Sequence, residues 1–452
     1  MTLTVLHSAA MLVTMDDDER EVADGAIAWR DGVITEIGTT DALAPLRRAA
    51  DRTIDARNCV VTPGLVNTHH HLYQSLTRAV PGAIDASLFN WLERLYPIWA
   101  RYRPDDVHAA TRLGLAELAL SGCTLSTDHL YLYPNGVTLD DTIAAAAEIG
   151  LRFHPTRGSM SVGESAGGLP PDALVEREPA ILADTIRVID RFHDSAPGAM
   201  VRVGVAPCSP FSVSEGLMRD AALLARDKGV MLHTHLAEDD DDVAFSLARF
   251  GCRPGVYAER LGWTGPDVWM AHAVKLDADE IALFAATGTG VAHCPCSNCR
   301  LGSGIAPVVR MLAAGVPLGL GVDGSASNDS GHLLNEARQA LLLQRVTGGA
   351  GALSPRAALR LATRGGAEML GRHDCGALMV GRRADLAVWD VAGSANTGAW
   401  DPVAGLILCP PAGVRDLFVE GRAIVADGAL VSACQATILA DARRSIERLR
   451  AG

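Results

Sequence analysis

Residues 66–76 read VNTHHHLYQSL, three consecutive imidazoles that close the apolar run CVVTPGLV. In a strand, residues i and i+2 point the same way, so His69 and His71 share one face and His70 takes the other. An inward-facing imidazole pair can hold a cation, at about 2.0–2.1 Å for zinc; histidines on a solvated loop are the alternative. LHTHLAE (232–238) supplies more candidates. His233 and His235 share a face, and His235, nearer the strand end, is the better-placed third ligand. Glu238 stands three residues on, able to reach a water held by a metal; taken alone it reads as part of the solvated acidic run EDDDD. Asp323 ends VPLGLGVDG. A carboxylate after so apolar a run must be paired, protonated or metal-bound, unless it caps a following helix. His272 closes VWMAH and either meets substrate or water or is a core histidine bonded to backbone. Zinc brings the pKa of bound water from 15.7 toward about 7, and a nearby carboxylate can pass its proton to a substrate nitrogen. Such a set suits hydrolytic attack on an sp2 carbon bearing nitrogen: an amidine, an amide or an amino-heterocycle.

HCPCSNCR (293–300) competes for a metal. Pro295-Cys296-x-x-Cys299 matches the cysteine half of the cytidine-type zinc deaminase signature, but no His-x-Glu stands upstream. Cys294, Cys296 and Cys299 also have the chemistry for an iron–sulfur cluster or structural zinc. The preferred reading makes this segment the loop after a seventh strand, with Ser297 and Asn298 lining a pocket.

These residues sit at the ends of short apolar runs: 60–71, 123–130, 151–158, 201–207, 230–236, 268–274, 290–298 and 316–324. Stretches with helical apolar spacing lie between them, such as SEGLMRDAALLARDKG and DADEIALFAATG. Near-continuous apolar strands imply burial on both faces, as in a parallel sheet. Eight of them with intervening helices predict a closed (β/α)8 barrel, whose active site gathers at the C-terminal strand ends. Arg157, Cys208, Ser209 and Asn298 also end runs, and they are candidate substrate contacts, with Trp91 on LFNWL. GAIAWRDGVITEIG reads as a hairpin around Asp31-Gly32. GALMVGRRADLAVWD and VRDLFVEGRAIVADG return to that strand texture. Residues 1–62 and 372–452 are therefore expected to form one small composite β-sandwich domain, and 63–371 the barrel.

The chain has 452 residues, 48% hydrophobic and 21% charged, enough for a large barrel plus an accessory domain. Its net charge of −13 argues against a nucleic-acid partner, while leaving a free base or small heterocycle open. No signal-peptide pattern and no run of about 18 apolar residues is present, so neither secretion nor membrane insertion is expected. The ten cysteines read as reduced thiols of a cytoplasmic protein. A symmetric homo-oligomer is the expected assembly.

PGLVNTHHH, HTHLAE, AHAV, HCPCSN and GVDGSASND, in this order, resemble the amidohydrolase superfamily, in its branch of nucleobase and aminoheterocycle deaminases. The resemblance spans essentially the whole chain, including GRRADLAVWD near the end. It implies one zinc per chain on His69, His71, His235 and Asp323, with iron a chemical alternative for the same ligands. It makes Glu238 the proton shuttle and His272 the group that polarises or orients the attacked centre, with Asp323 also counted among the catalytic residues. Within the branch, NTHHHLYQSLTRAVP, LFNWLERLYPIWA, APCSPFSVS and SNDSGHLLNEARQALLLQR are similar to bacterial 8-oxoguanine deaminases, implying conversion of 8-oxoguanine and water to urate and ammonia. HxHxxQ is shared with guanine deaminases, which carries Gln74 over as a purine contact. Those enzymes have an arginine where this chain has Pro210, and adenosine-type relatives a histidine where it has Cys208. Isoxanthopterin deaminases share NTHHH and SNxRLGSG. Removal of chloride or an alkylamine from a triazine is the other reaction such a site could run. A metal-binding structural or regulatory protein on an inactive barrel is the non-enzymatic alternative.

Overall fold

A computed structural model describes residues 2–451. Eight parallel strands close into a barrel: β1 (Leu65–Asn67), β2 (Cys123–Leu130), β3 (Arg152–Ser159), β4 (Gly204–Pro207), β5 (Leu232–Leu236), β6 (Val268–His272), β7 (Gly290–His293) and β8 (Leu318–Leu320). Every strand is buried almost along its length, as the apolar runs require, and helices cover the outside. Local chemistry ends those helices cleanly. Ser214 accepts from Leu217 N (3.0 Å) to start Glu215–Lys228, and left-handed Gly229 stops it. Asp277 and Glu280 form a capping box at Ala278–Thr287, which ends on Gly288.

The first apolar run is two strands, not one. Cys59–Pro63 belongs to an outer sheet, and β1 begins after Gly64. A Cβ on Gly64 would lie 2.1 Å from the Thr124 side chain, so only glycine lets the chain pass from sheet to barrel against β2. The outer sheet has nine strands from both chain ends; Leu386–Asp390 pairs antiparallel with Cys59–Pro63 and joins the two. Strand Leu3–Val13 bends at Ser8 (φ 62°), pairing with Arg52–Asp55 on one side of the bend and Cys59–Pro63 on the other. The expected hairpin is present, Glu21–Arg30 against Val33–Thr39, with Asp31 and Gly32 both left-handed (φ 49° and 80°).

Sheet and barrel are tied by buried charge. The Arg152 guanidinium, at the start of β3, pairs with Asp385 and Glu420 of the outer sheet and donates to the Gly198 carbonyl (2.7 Å). The terminal helix Gln435–Ala451 lies against barrel helix Pro104–Leu120, where Arg112 pairs with Asp441 (3.0 Å). Among the described residues, no helix is long and apolar enough to cross a membrane.

Candidate active site

The histidine triplet lies just past β1 but stays in the barrel ladder. Asp323 N donates to the His69 carbonyl (3.1 Å) and His129 N to the His70 carbonyl (2.7 Å). The alternation therefore continues: His69 and His71 point into the barrel mouth, and His70 is buried on the other side. His235 enters from the end of β5 and Asp323 from beyond β8.

Hydrogen bonds behind the rings fix their tautomers. His71 Nδ1 lies 2.7 Å from the His129 carbonyl and His235 Nδ1 2.6 Å from the Cys208 carbonyl. Carbonyls only accept, so both rings carry their proton on Nδ1 and present a lone pair on Nε2. His233 Nδ1 likewise donates to the Trp269 carbonyl (2.8 Å), so its Nε2 accepts from His69 Nδ1 (2.8 Å). His69 Nε2 is left buried without a hydrogen-bond partner. Burial pushes His69, His71 and His235 below their ordinary range, His235 to about 3 with the His71 and His272 rings adding to the effect, so their lone pairs stay unprotonated.

The lone pairs of His71 and His235 face each other across 3.1 Å. Asp323 Oδ1 is 3.3 Å from His69 Nε2 and 3.4 Å from His71 Nε2. Four donors around a tetrahedral zinc with bonds of 2.0–2.1 Å would stand about 3.3 Å apart. The separations of His71 from His235, and of Asp323 from His69 and His71, match that spacing, and the proton placement leaves each imidazole a lone pair for one cation. Asp323 is fixed in position from several sides. Its Oδ2 accepts from Ser297 Oγ (2.5 Å) and Ser327 Oγ (2.9 Å), Oδ1 accepts from Gly324 N (2.6 Å), and its backbone is left-handed (φ 61°). Ser297 thus serves the carboxylate rather than the pocket wall.

Glu238 follows β5 through left-handed Ala237 (φ 51°) and is buried. Burial, then Asp323, then the neighbouring Asp239 and Asp242 push its carboxyl well above the usual range. An upward shift is the direction that a carboxyl serving as a proton carrier needs. Its Oε2 is 3.5 Å from His272 Nε2, which is 4.0 Å from Asp323 Oδ2. His272 and Ala273 are consecutive left-handed residues (φ 70° and 49°). Each such non-glycine residue costs about 1–3 kcal/mol, and strain of this kind gathers at functional sites.

A narrow pocket opens over these groups, with Gln74, Trp91, Tyr96, Tyr131, Cys208 and Phe211 in its wall. Gln74 donates to Tyr73 OH (3.3 Å), and its Oε1 is buried without a partner. Trp91 contributes its ring alone, because its N–H is given to the Ala326 carbonyl (3.1 Å). Burial drives the Cys208 thiol up to about 12, so it stays neutral.

Three residues expected to meet substrate are placed elsewhere. Arg157 turns toward the helix layer, where Glu176 (2.8 Å) and Asp184 (3.0 Å) neutralise it and Tyr133 lies 3.9 Å beneath the guanidinium. A buried guanidinium needs such carboxylates, and they stand outside the barrel mouth. Ser209 Oγ pairs with Ser212 Oγ (2.7 Å), away from the pocket wall. Asn298 spends its amide on His272 Nδ1 (3.0 Å). The cysteine-rich segment is a short helix, Pro295–Arg300, with Cys294 buried and Cys299 exposed; among the described residues the groups able to hold a metal consist of His and Asp. Two further rings complete the site: His129, a chemically capable residue that ends an apolar run, and Tyr131, to which the sequence assigns no role. His129 stacks on His235 (5.0 Å, 20°) and Tyr131 meets His71 edge-on (5.1 Å, 86°). Their i, i+2 spacing at the end of β2 was the available signal.

The Amidohydrolase family profile matches residues 60–424. The 8-oxoguanine deaminase of Pseudomonas aeruginosa is 46% identical over 432 residues, spanning 95% of this chain and 96% of that protein. An isoxanthopterin deaminase from an unknown prokaryotic organism is 38% identical, spanning 99% and 97%. An atrazine chlorohydrolase of Arthrobacter aurescens, solved in complex with zinc, superposes with a TM-score of 0.93 at 35% identity, covering 98% of this chain and 100% of that one. Barrel, donor set and full-length similarity converge, and the chain belongs to the amidohydrolase family as a metal-dependent aminohydrolase.

Proposed function

We propose that this protein hydrolyses 8-oxoguanine to urate and ammonia, using one zinc ion per chain. The observation that carries the substrate is the near-complete alignment at 46% identity with the Pseudomonas aeruginosa 8-oxoguanine deaminase. The pocket supports a neutral free base. None of its described lining residues is lysine or arginine, so nothing there would neutralise a nucleotide phosphate.

His69, His71, His235 and Asp323 would hold the ion. When bound, it supplies the Lewis acidity that brings deprotonation of water into the neutral range. Glu238 takes the proton of the attacking water and delivers it to the departing nitrogen. At the amino-bearing carbon a C–O bond replaces the C–N bond, and ammonia leaves. His272, through Nε2, orients the oxygen that adds to that carbon. Gln74 offers its free Oε1 to a ring N–H, and the Trp91 ring forms an apolar wall beside the heterocycle.

The test is ammonia release by the zinc-loaded protein from 8-oxoguanine, guanine and isoxanthopterin, with chloride release from a chlorotriazine in parallel. The largest kcat/KM should belong to 8-oxoguanine. Comparable turnover of all three bases would remove the substrate assignment and leave the deaminase chemistry intact. The likeness to the atrazine chlorohydrolase favours one second reading, hydrolysis of a triazine substituent; chloride release without ammonia release would select it.

A further inference from the structure

We propose that Asn298 is a positioning residue that locks His272 in the tautomer carrying its proton on Nε2, so that the ring acts as a neutral hydrogen-bond donor and not as a metal ligand. The inference rests on the reading that His272 faces the reacting centre.

The two sides of the ring agree. On one side, Asn298 Nδ2 lies 3.0 Å from His272 Nδ1, donating to a lone pair there. On the other, His272 Nε2 faces two carboxylates, Glu238 Oε2 at 3.5 Å and Asp323 Oδ2 at 4.0 Å. An N–H on Nε2 suits such neighbours, but His69 and His71 also turn Nε2 toward Asp323, at 3.3 and 3.4 Å, so it is the Asn298 contact that assigns the proton. Rotating the Asn298 amide would reverse the bond, but it would strand the NH2 group where Oδ1 now sits without any partner. A buried carbonyl with a spare lone pair is tolerated more readily than a buried orphan N–H.

Asn298 has little freedom to do anything else. It is 1% exposed, and its backbone is fixed by bonds to the Cys294 carbonyl (3.0 Å) and from Ser303 N (2.9 Å). The same logic separates His272 from the three imidazoles that present Nε2 lone pairs. His71 and His235 are oriented by backbone carbonyls and His69 by the Nε2 lone pair of His233, all of which put the proton on Nδ1. His272 is oriented by a side-chain donor, which forces it onto Nε2. A ring with a protonated Nε2 cannot ligate through that atom, so the choice of Asn over an acceptor at 298 keeps His272 out of the metal's coordination.

Two measurements test this. In the zinc-loaded wild-type protein labelled with ¹⁵N-histidine, the His272 ring, identified by comparison with His272→Gln, should show an unprotonated Nδ1 and a protonated Nε2. A protonated Nδ1 overturns the proposal whether or not any variant folds. In kinetics, Asn298→Ala should lower kcat by about 10- to 100-fold, the usual scale for an orienting partner. KM should stay within a few-fold and zinc content should be unchanged. Asn298→Asp, an obligate acceptor that favours the opposite tautomer, should lose more, up to about 10⁴-fold by analogy with other wrong-tautomer substitutions. Adding Asn298→Ala to His272→Ala should cost nothing further, because Asn298 acts through that ring. Multiplying losses in the double variant, or Asn298→Asp matching wild type, overturns it. Full activity in His272→Ala with the expected nitrogen spectrum would instead remove the role given to His272 and leave the tautomer assignment standing.

Discussion

Replacing His233 with phenylalanine should weaken zinc binding without touching a ligand. His233 sits beneath His69 and accepts its Nδ1–H at 2.8 Å, while its own Nδ1–H goes to the Trp269 carbonyl. Its ring also stacks on Trp269 (4.3 Å, 16°). Phenylalanine keeps the stacking and removes the acceptor. The His69 ring is fully buried, so its Nδ1–H would be left without a partner at a cost of about 1–3 kcal/mol. That cost falls on the metal-free and metal-loaded states alike, and only the difference reads as affinity. A metal draws charge from the ring and makes Nδ1–H a stronger donor, so the lost acceptor matters more in the loaded state. The expected loss is about 10- to 100-fold in zinc affinity, which is about 1.4–2.7 kcal/mol. Competition against a chelator at fixed pH measures it, with urea unfolding of the metal-free protein run beside it. A dissociation constant within two-fold of wild type, in a variant that folds, would refute the chain from Trp269 through His233 and His69 to the metal.

Glu238→Gln should retain its zinc and lose about 10²- to 10⁴-fold in kcat; metal analysis beside ammonia release checks both halves, and full activity removes Glu238 from the reaction. Gly324→Ala would place a Cβ 1.9 Å from Gln74 Oε1, so kcat/KM should fall about 10- to 100-fold. The same change in a Gln74→Ala background should be nearly silent, and an undiminished effect there would show that the clash is not the cause. Arg152→Met should destabilise the fold by about 3–5 kcal/mol, because Asp385 loses its buried partner. Urea unfolding reads that loss, and a change below about 1 kcal/mol would mean the pair is not what ties sheet to barrel.

Much of this architecture was legible because its signals are local. The i, i+2 spacing of His69 and His71 put them on one face wherever the strand lay. Eight apolar runs with polar ends foretold a closed barrel with its chemistry at one rim, and Asp31-Gly32 foretold a hairpin through its left-handed turn. Nearness to the strand end already favoured His235 over His233, but the role of His233 was not local: only barrel closure sets His235 against His71 and tucks His233 under His69. Nor could spacing decide where Arg157 or Asn298 would aim. Arg157 is claimed by Glu176 and Asp184 in the outer layer, and Asn298 by a histidine 26 residues away on the preceding strand. Residue types and strand period determine which groups can meet on one face. Which face turns inward, and which polar group finds which partner, is decided when the sheet closes, because every buried donor and acceptor must then be satisfied by neighbours distant in the chain.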